Sequence, residues 1–136
     1  MVLSSSQFQI LRAAMDRVVP ADTDQGAWEA GCGDFLIRLL EDDLVDRELY
    51  RSGLDSLDKE ANELYQNSFD KLTSDEQDDL LTSVEVGSVF TRWSVFPGLF
   101  FRTLVKNTME GYYGSSRNGG NRDGLAWQMI GFEVTG

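Results

Sequence analysis

Three neighbouring residues near the carboxyl end of the chain are of types that can perform acid–base chemistry. Glu110, Tyr112 and Tyr113 place one carboxylate and two phenols within four positions. A carboxylate can take up or release a proton, and a phenol can donate a hydrogen bond to a developing negative charge. No second catalytic group accompanies them, so two alternatives stay open. The residues either belong to a pocket that binds or converts a small molecule, or they form part of a surface for a partner.

Histidine and cysteine usage excludes several classes of enzyme. The chain has no histidine, which excludes Ser-His and Cys-His nucleophiles, histidine-ligated zinc or haem, and imidazole catalysis. Cys32 is the single cysteine, so no intramolecular disulfide can form, and a buried place in the core is predicted for it. Neither the GxGxxG nor the GxxxxGK[ST] nucleotide motif is present. Any catalyst in this chain would have to use carboxylate, lysine or tyrosine side chains or a bound cofactor, so the chain is a poor candidate for an enzyme. No catalytic, cofactor-binding or metal-binding residue is predicted.

The net charge of −11 is unevenly distributed along the chain. Residues 1–90 carry 20 acidic and 7 basic side chains, whereas residues 91–136 carry 3 acidic and 5 basic ones. This asymmetry predicts two different surfaces. The acidic part argues against nucleic-acid binding, which requires cationic patches. It predicts instead a solvated helical surface.

Targeting signals are not evident in the sequence. No apolar run approaches the roughly 20 residues of a membrane helix, and MVLSSSQF does not read as a secretory leader. We expect no direct membrane insertion and a cytoplasmic location for the chain as written. A periplasmic location is expected if a leader was removed or a complex is exported.

Hydrophobic periodicity predicts an all-α fold of about five helices around one core. Capping boxes at Ser4–Gln7 and Thr73–Glu76 predict the starts of the first and fourth helices, and Pro97 opens the last. The second helix is predicted from residue 27. The whole of 1–136 is predicted to be one domain, with a helical core over 1–110 and a glycine- and aromatic-rich segment over 111–136 that closes it.

Individual residues within these helices carry further predictions. Gly31 and Gly33 are predicted inside the second helix, where another helix packs closely against them, and Gly53 is predicted to interrupt the third. Gly111 is predicted to cap the last helix. Four acidic residues of the third helix are predicted to form a solvated face: Asp55, Asp58, Glu60 and Glu63.

The carboxyl-terminal segment differs in composition from the rest of the chain. Seven of the thirteen glycines fall between Gly111 and Gly136, interleaved with four large aromatic residues. Glycine in a folded segment costs roughly 0.5–1 kcal/mol relative to alanine, so the segment is predicted to be a structured cap or a partner surface. Within it, RNGGNRDG is flanked by Arg117 and Arg122. It forms either a cluster of turns or an anion site.

The chain resembles the gluconate 2-dehydrogenase subunit 3 family, the small subunits of flavin-dependent sugar and polyol dehydrogenases. The resemblance includes VVPAD (Val18 to Asp22), GAWEAG (Gly26 to Gly31), and the helix start LTSDEQDDLL. At the carboxyl end it lies in T-x-E-G-Y-Y, G-G-N and W-x-M-I-G-F. The matching residues there are Thr108, Glu110, Gly111, Tyr112, Tyr113, Gly119, Gly120, Asn121, Trp127, Met129, Ile130, Gly131 and Phe132.

This resemblance implies a non-catalytic subunit that binds and stabilises or matures a large catalytic subunit. The implied partner is an FAD-dependent dehydrogenase of the glucose–methanol–choline type, joined in some complexes by a cytochrome c subunit; the FAD is expected in that partner. Members often carry a twin-arginine export signal, and this sequence departs from that pattern. Interfaces favour aromatic and arginine side chains. The predicted contact residues are therefore Tyr112, Tyr113, Arg117, Asn121, Arg122 and Trp127.

Two other functions stay open at this point. One is a stand-alone enzyme or small-molecule-binding protein that uses Glu110, Tyr112 and Tyr113. The other is an acidic adaptor that has kept the fold without a dehydrogenase partner. The apolar residues of the carboxyl-terminal segment, Trp127 among them, are also candidates for covering the domain's own core.

Overall fold

Five α-helices make up most of the described chain. The computed structural model describes residues 2–19, 26–28 and 31–114. The helices are α1 (Ser5–Val18), α2 (Cys32–Asp42), α3 (Leu44–Tyr65), α4 (Ser74–Glu85) and α5 (Pro97–Gly114), with a short 3₁₀ turn at Phe69–Lys71. No strand lies within these residues, and the predicted all-α fold is confirmed for them. Residues 115–136, predicted to close the core, lie outside the described residues.

Both predicted capping boxes are confirmed. The Ser4 hydroxyl accepts from the backbone N–H of Gln7 at 3.1 Å, and the Gln7 side chain accepts from the Ser4 N–H at 2.8 Å. Thr73 and Glu76 form the same reciprocal pair at 3.2 and 3.0 Å. Each pair satisfies N–H groups that have no partner within the first turn of a helix. The sequence therefore fixes the starts of α1 and α4 locally.

The predicted start of the second helix is wrong by five residues. α2 begins at Cys32, and Gly31 is its N-cap with a left-handed φ of 92° that favours glycine. Trp28 precedes the helix, and its ring lies over Gly33, where an added Cβ would come within 2.6 Å of the ring. The side chain that needs the small residue is therefore a tryptophan from the preceding turn, rather than another helix.

Gly53 does not interrupt α3, which is continuous over 22 residues. An added Cβ at Gly53 would lie 2.2 Å from the ring of Phe100 on α5. Tyr50, one turn earlier, meets the same ring edge-on at 5.9 Å between centroids. The glycine is present because a buried aromatic ring of α5 packs directly on the α3 backbone.

Gly111 does not cap α5, because the helix continues to Gly114. An added Cβ at Gly111 would lie 3.2 Å from the Cys32 Cα and 3.0 Å from the Phe35 ring. The glycine therefore allows α5 to approach the start of α2 closely. Cys32 is fully buried at this crossing, as the sequence predicts, and its thiol lies 3.3 Å from the Thr108 carbonyl oxygen.

The core is one cluster to which all five helices contribute. Its largest fully buried side chains include Leu11 of α1, Leu36 of α2, Tyr50 of α3, Leu80 of α4 and Phe100 of α5. Over the part of the chain that the structure describes, none of the helices has the length and apolar character needed to cross a bilayer. The α4–α5 connection, residues 86–96, is the longest described stretch between helices, and it lies over α3.

Candidate partner interface

The predicted contact residues are only partly within the described chain. Tyr112 lies in α5, is 1% exposed and belongs to the core. The side chain of Tyr113 lies outside the described residues, as do Arg117, Asn121, Arg122 and Trp127. The assignment of these residues to an interface stays a prediction. For Tyr112, burial indicates that a substitution would act on the fold first.

Two of the three residues of the acid–base alternative, Glu110 and Tyr112, do not share a site, and the side chain of the third, Tyr113, lies outside the described residues. Glu110 is exposed, whereas Tyr112, two positions further along the same helix, is buried. Helical residues turn by about 100° each, so positions two apart diverge by about 200° around the axis. The structure therefore does not bring the carboxylate of Glu110 and the phenol of Tyr112 into one pocket.

A different surface presents large apolar side chains to solvent. Four of the seven exposed large hydrophobic residues among those described lie between the end of α4 and the first turn of α5: Val86, Phe90, Phe96 and Leu99. We call these four the apolar patch. Phe90 and Phe96 are 76% and 79% exposed. Single exposed apolar residues are common, whereas two largely exposed phenylalanines within one short segment are typical of an interaction surface.

A buried carboxylate of α3 holds the segment that carries this patch. Glu60 is fully buried, and its Oε2 accepts from the backbone N–H of Phe90 at 2.7 Å. Its Oε1 accepts from the N–H of Thr91 at 2.9 Å, from the Thr91 hydroxyl, and from the Trp93 indole N–H at 3.4 Å. Its predicted place on a solvated face is wrong, because the α4–α5 segment folds back over this face of α3.

The other acidic residues of α3 largely follow the prediction. Asp55 and Glu63 are exposed. Asp58 is half-buried and accepts from the Ser68 hydroxyl at 2.7 Å and from the Phe69 N–H at 2.8 Å. α3 therefore uses two of its carboxylates to fasten chain segments that follow it.

The hydrogen bonds determine the ionisation of Glu60. Burial raises the pKa of the Glu60 carboxyl, but the donors from Thr91, Phe90 and Trp93 stabilise the charged form and outweigh it, so the pKa is lowered overall. Glu60 is therefore a carboxylate at neutral pH. A charged acceptor forms stronger hydrogen bonds than a neutral one, which favours a single conformation of the segment it holds.

Apolar contacts hold the other side of the same segment. Val89, Trp93 and Val95 pack against the core, and the Trp93 ring lies 6.1 Å from that of Phe100. The Phe96 carbonyl accepts from the Phe100 N–H at 3.1 Å, which joins the residue to the first turn of α5. Some side chains of the segment thus point inward while Phe90 and Phe96 remain outside. The patch is displayed on an anchored scaffold.

The segment that carries the patch, residues 86–96, has a single charged residue, Arg92. Between Val86 and Met109 the sequence contains three cationic residues, Arg92, Arg102 and Lys106, and no acidic one. All three are exposed. A shallow groove of about 390 Å³ adjoins the segment along α3, with Asp55, Lys59, Arg92 and Trp93 among its lining residues. Arg92 lies within the segment that carries the patch, and the Arg102 guanidinium lies near Gly98, whereas Lys106 lies close to Asp46 at the start of α3. We call Arg92 and Arg102 the cationic border; the exposed acids Glu85 and Asp55 lie beside it.

Sequence reasoning missed this surface, although a signal was present. FTRWSVF, residues 90–96, contains three aromatic residues and an arginine between two strong helix signals. An aromatic-rich connection between helices is unusual unless it packs on the core or binds something. The anchor Glu60 also carried a signal, because it follows the buried residues Gly53 and Leu57 by seven and three positions, at helical spacing. Its acidic side chain nevertheless favoured an exposed place.

Over its described residues, the chain is a small helical protein with an apolar patch flanked by two exposed arginines. A match to the family Gluconate 2-dehydrogenase subunit 3 covers residues 5–135, and the chain belongs to that family. Membership confirms the resemblance seen in the sequence, and it implies association with a dehydrogenase complex. Comparisons with curated proteins and with solved structures gave no match.

Proposed function

We propose that this chain is a non-catalytic accessory subunit that binds, and stabilises or matures, an FAD-dependent sugar or polyol dehydrogenase subunit. The family match over residues 5–135 is the observation that carries the proposal. The FAD is held by the large glucose–methanol–choline-type subunit, and this chain binds none. A cytochrome c subunit is the expected third component where electrons leave the complex.

The geometry supports a binding role for the chain. The anchored display of Phe90 and Phe96 keeps two aromatic side chains in water without benefit to the isolated domain. Such exposure is expected where a partner removes it, since aromatic residues dominate interface energetics. The exposed Glu110 and the buried Tyr112, by contrast, offer no shared site for a reaction.

The experiment is co-expression of this chain with a glucose–methanol–choline-type dehydrogenase subunit from the same genome, followed by affinity purification through a tag on this chain. We expect the flavoprotein to co-purify. Visible absorbance of bound flavin and dye-linked sugar oxidation should both be higher when this chain is present. Co-purification alone shows binding and does not show whether this chain affects flavin loading. Flavin absorbance and activity are therefore measured as well.

The matched control is the large subunit expressed alone at the same level. If it is fully flavinylated and active and does not co-purify with this chain, the proposal is refuted. A yellow preparation of this chain alone, with flavin bound in one equivalent, would refute the assignment of the cofactor to the partner.

A further inference from the structure

We propose that the apolar patch and its cationic border form the docking surface for the dehydrogenase subunit, and that this subunit presents an apolar depression edged by carboxylates. The inference rests on the proposed function, which names the partner but not the surface. It assigns the contact to the α4–α5 segment instead of resting it on the carboxyl-terminal residues alone.

Phe90 and Phe96 are the apolar anchors of the proposed docking surface. Each is more than three-quarters exposed, yet the segment that carries them is fixed by Glu60 on one side and by Trp93 on the other. Ordering a loop during binding costs conformational entropy, and a loop already held in one conformation avoids that cost. Two rigid aromatic side chains on a fixed backbone therefore suit insertion into preformed pockets of a partner.

Arg92 and Arg102 give the proposed docking surface its positive charge. The chain carries a net charge of −11, whereas residues 86–109 contain only cationic charged residues. Arg92 and Arg102 are exposed within this stretch, and Arg102 lies back towards Gly98 beside the end of α4. These two arginines would pair with acidic groups on the partner around its apolar depression. The same charges would steer the partner to this face and away from the acidic remainder of the chain.

A second copy of this chain fits the surface poorly. A symmetric dimer places the same patch on both sides of the interface, so the arginines of each copy would face those of the other. A head-to-tail contact between the cationic patch and an acidic face would give a ring or an open filament of many copies. A distinct partner satisfies the patch once and closes the assembly.

The test compares two double variants of the full chain in the co-expression system. Phe90→Ser with Phe96→Ser removes the two aromatic anchors. Leu44→Ser with Val45→Ser is the matched control, since Val45 is also 79% exposed but lies at the start of α3. We expect the patch variant to weaken the affinity for the large subunit by roughly a hundredfold or more and the control to change it by less than about threefold.

Charge variants test the border separately. Arg92→Glu should weaken binding roughly tenfold at low salt, and the difference from the unaltered chain should shrink as salt rises. Thermal unfolding of each isolated variant should stay close to that of the unaltered chain, because Phe90 and Phe96 contribute little buried area.

The possible outcomes separate the inference from the proposed function. If the unaltered chain and the patch variant bind the large subunit equally well, the docking surface is wrong and the accessory role stands. If even the unaltered chain does not bind, both fall. If the patch variant alone loses several degrees of thermal stability, or if the isolated chain is a dimer that only this variant dissociates, the patch is covered by the chain itself or by a second copy, and the inference is overturned.

Discussion

The most direct test of how the patch is held is the substitution Glu60→Gln. The carboxylate accepts from two consecutive backbone N–H groups, one hydroxyl and one indole. A glutamine of the same shape keeps one acceptor oxygen but must place an NH₂ group opposite one of these donors. If the oxygen stays with Thr91, the N–H of Phe90 loses its partner, and the remaining hydrogen bonds lose their charged acceptor.

The magnitude follows from these contacts. A buried donor left without a partner costs about 1–3 kcal/mol, and a hydrogen bond to a charged group is worth about 1.5–3 kcal/mol. A neutral amide costs less to bury than a carboxylate, which offsets part of this loss. We expect the free energy of unfolding to fall by about 2–3 kcal/mol, which in a chain of this size lowers the melting temperature by roughly 6–12 °C.

Hydrogen exchange provides the assay that is specific to the segment. Exchange of the Phe90 and Thr91 amides should become much faster in Glu60→Gln. Exchange of the α1 amides should speed up only by the amount that the lower global stability explains. Glu63→Gln is the matched control, since Glu63 is exposed one turn further along α3. An unchanged melting temperature and unchanged exchange at Phe90 and Thr91 would refute the anchoring role of Glu60.

Three further predictions concern packing, reactivity and pH. Gly53→Ala should destabilise the chain by about 2 kcal/mol in thermal unfolding, because its Cβ meets the Phe100 ring, and Phe100→Leu in the same chain should recover part of the loss. Burial, with a smaller contribution from the charge of Asp16, raises the pKa of the Cys32 thiol to about 12, so a thiol reagent at pH 8 should modify Cys32 only after unfolding in guanidinium chloride. The pKa of Glu60 is lower in the folded chain than its ordinary value of 4.5, so its contribution to stability is complete above that value and is lost as the pH falls through the folded pKa. The loss of stability on acidification, followed by thermal unfolding, should therefore be smaller in Glu60→Gln than in the unaltered chain.

The features that could be predicted from the sequence are those set by neighbouring residues. A capping box involves side chains three positions apart, so Ser4 and Thr73 identify helix starts without knowledge of the fold. Periodicity likewise identifies the five helices. Gly53 and Gly111 were misinterpreted because glycine can mark either the end of a helix or a close contact with another helix. Only the packing of α5 distinguishes these two cases.

The candidate surface was less predictable, because its two components depend on contacts distant in sequence. Glu60 and the N–H of Phe90 are 30 residues apart. An acidic residue on a helix is exposed unless another segment covers it, and nothing within α3 indicates that the α4–α5 segment does so. The exposure of Phe90 and Phe96 follows in turn from the inward placement of Trp93 and Val95, which the sequence leaves undetermined.

A carboxylate suits position 60 because the backbone N–H groups of the α4–α5 segment need hydrogen-bond acceptors. A chain that turns Phe90 outward and Trp93 inward over three residues cannot pair its N–H groups within a helix or sheet, and in contact with α3 it cannot leave them unpaired without a cost of about 1–3 kcal/mol each. An apolar residue at position 60 would fill the space but leave the N–H groups of Phe90 and Thr91 without acceptors. The two oxygens of Glu60 accept from both. Stability of the domain and the fixed exposure of the apolar patch therefore depend on the same side chain.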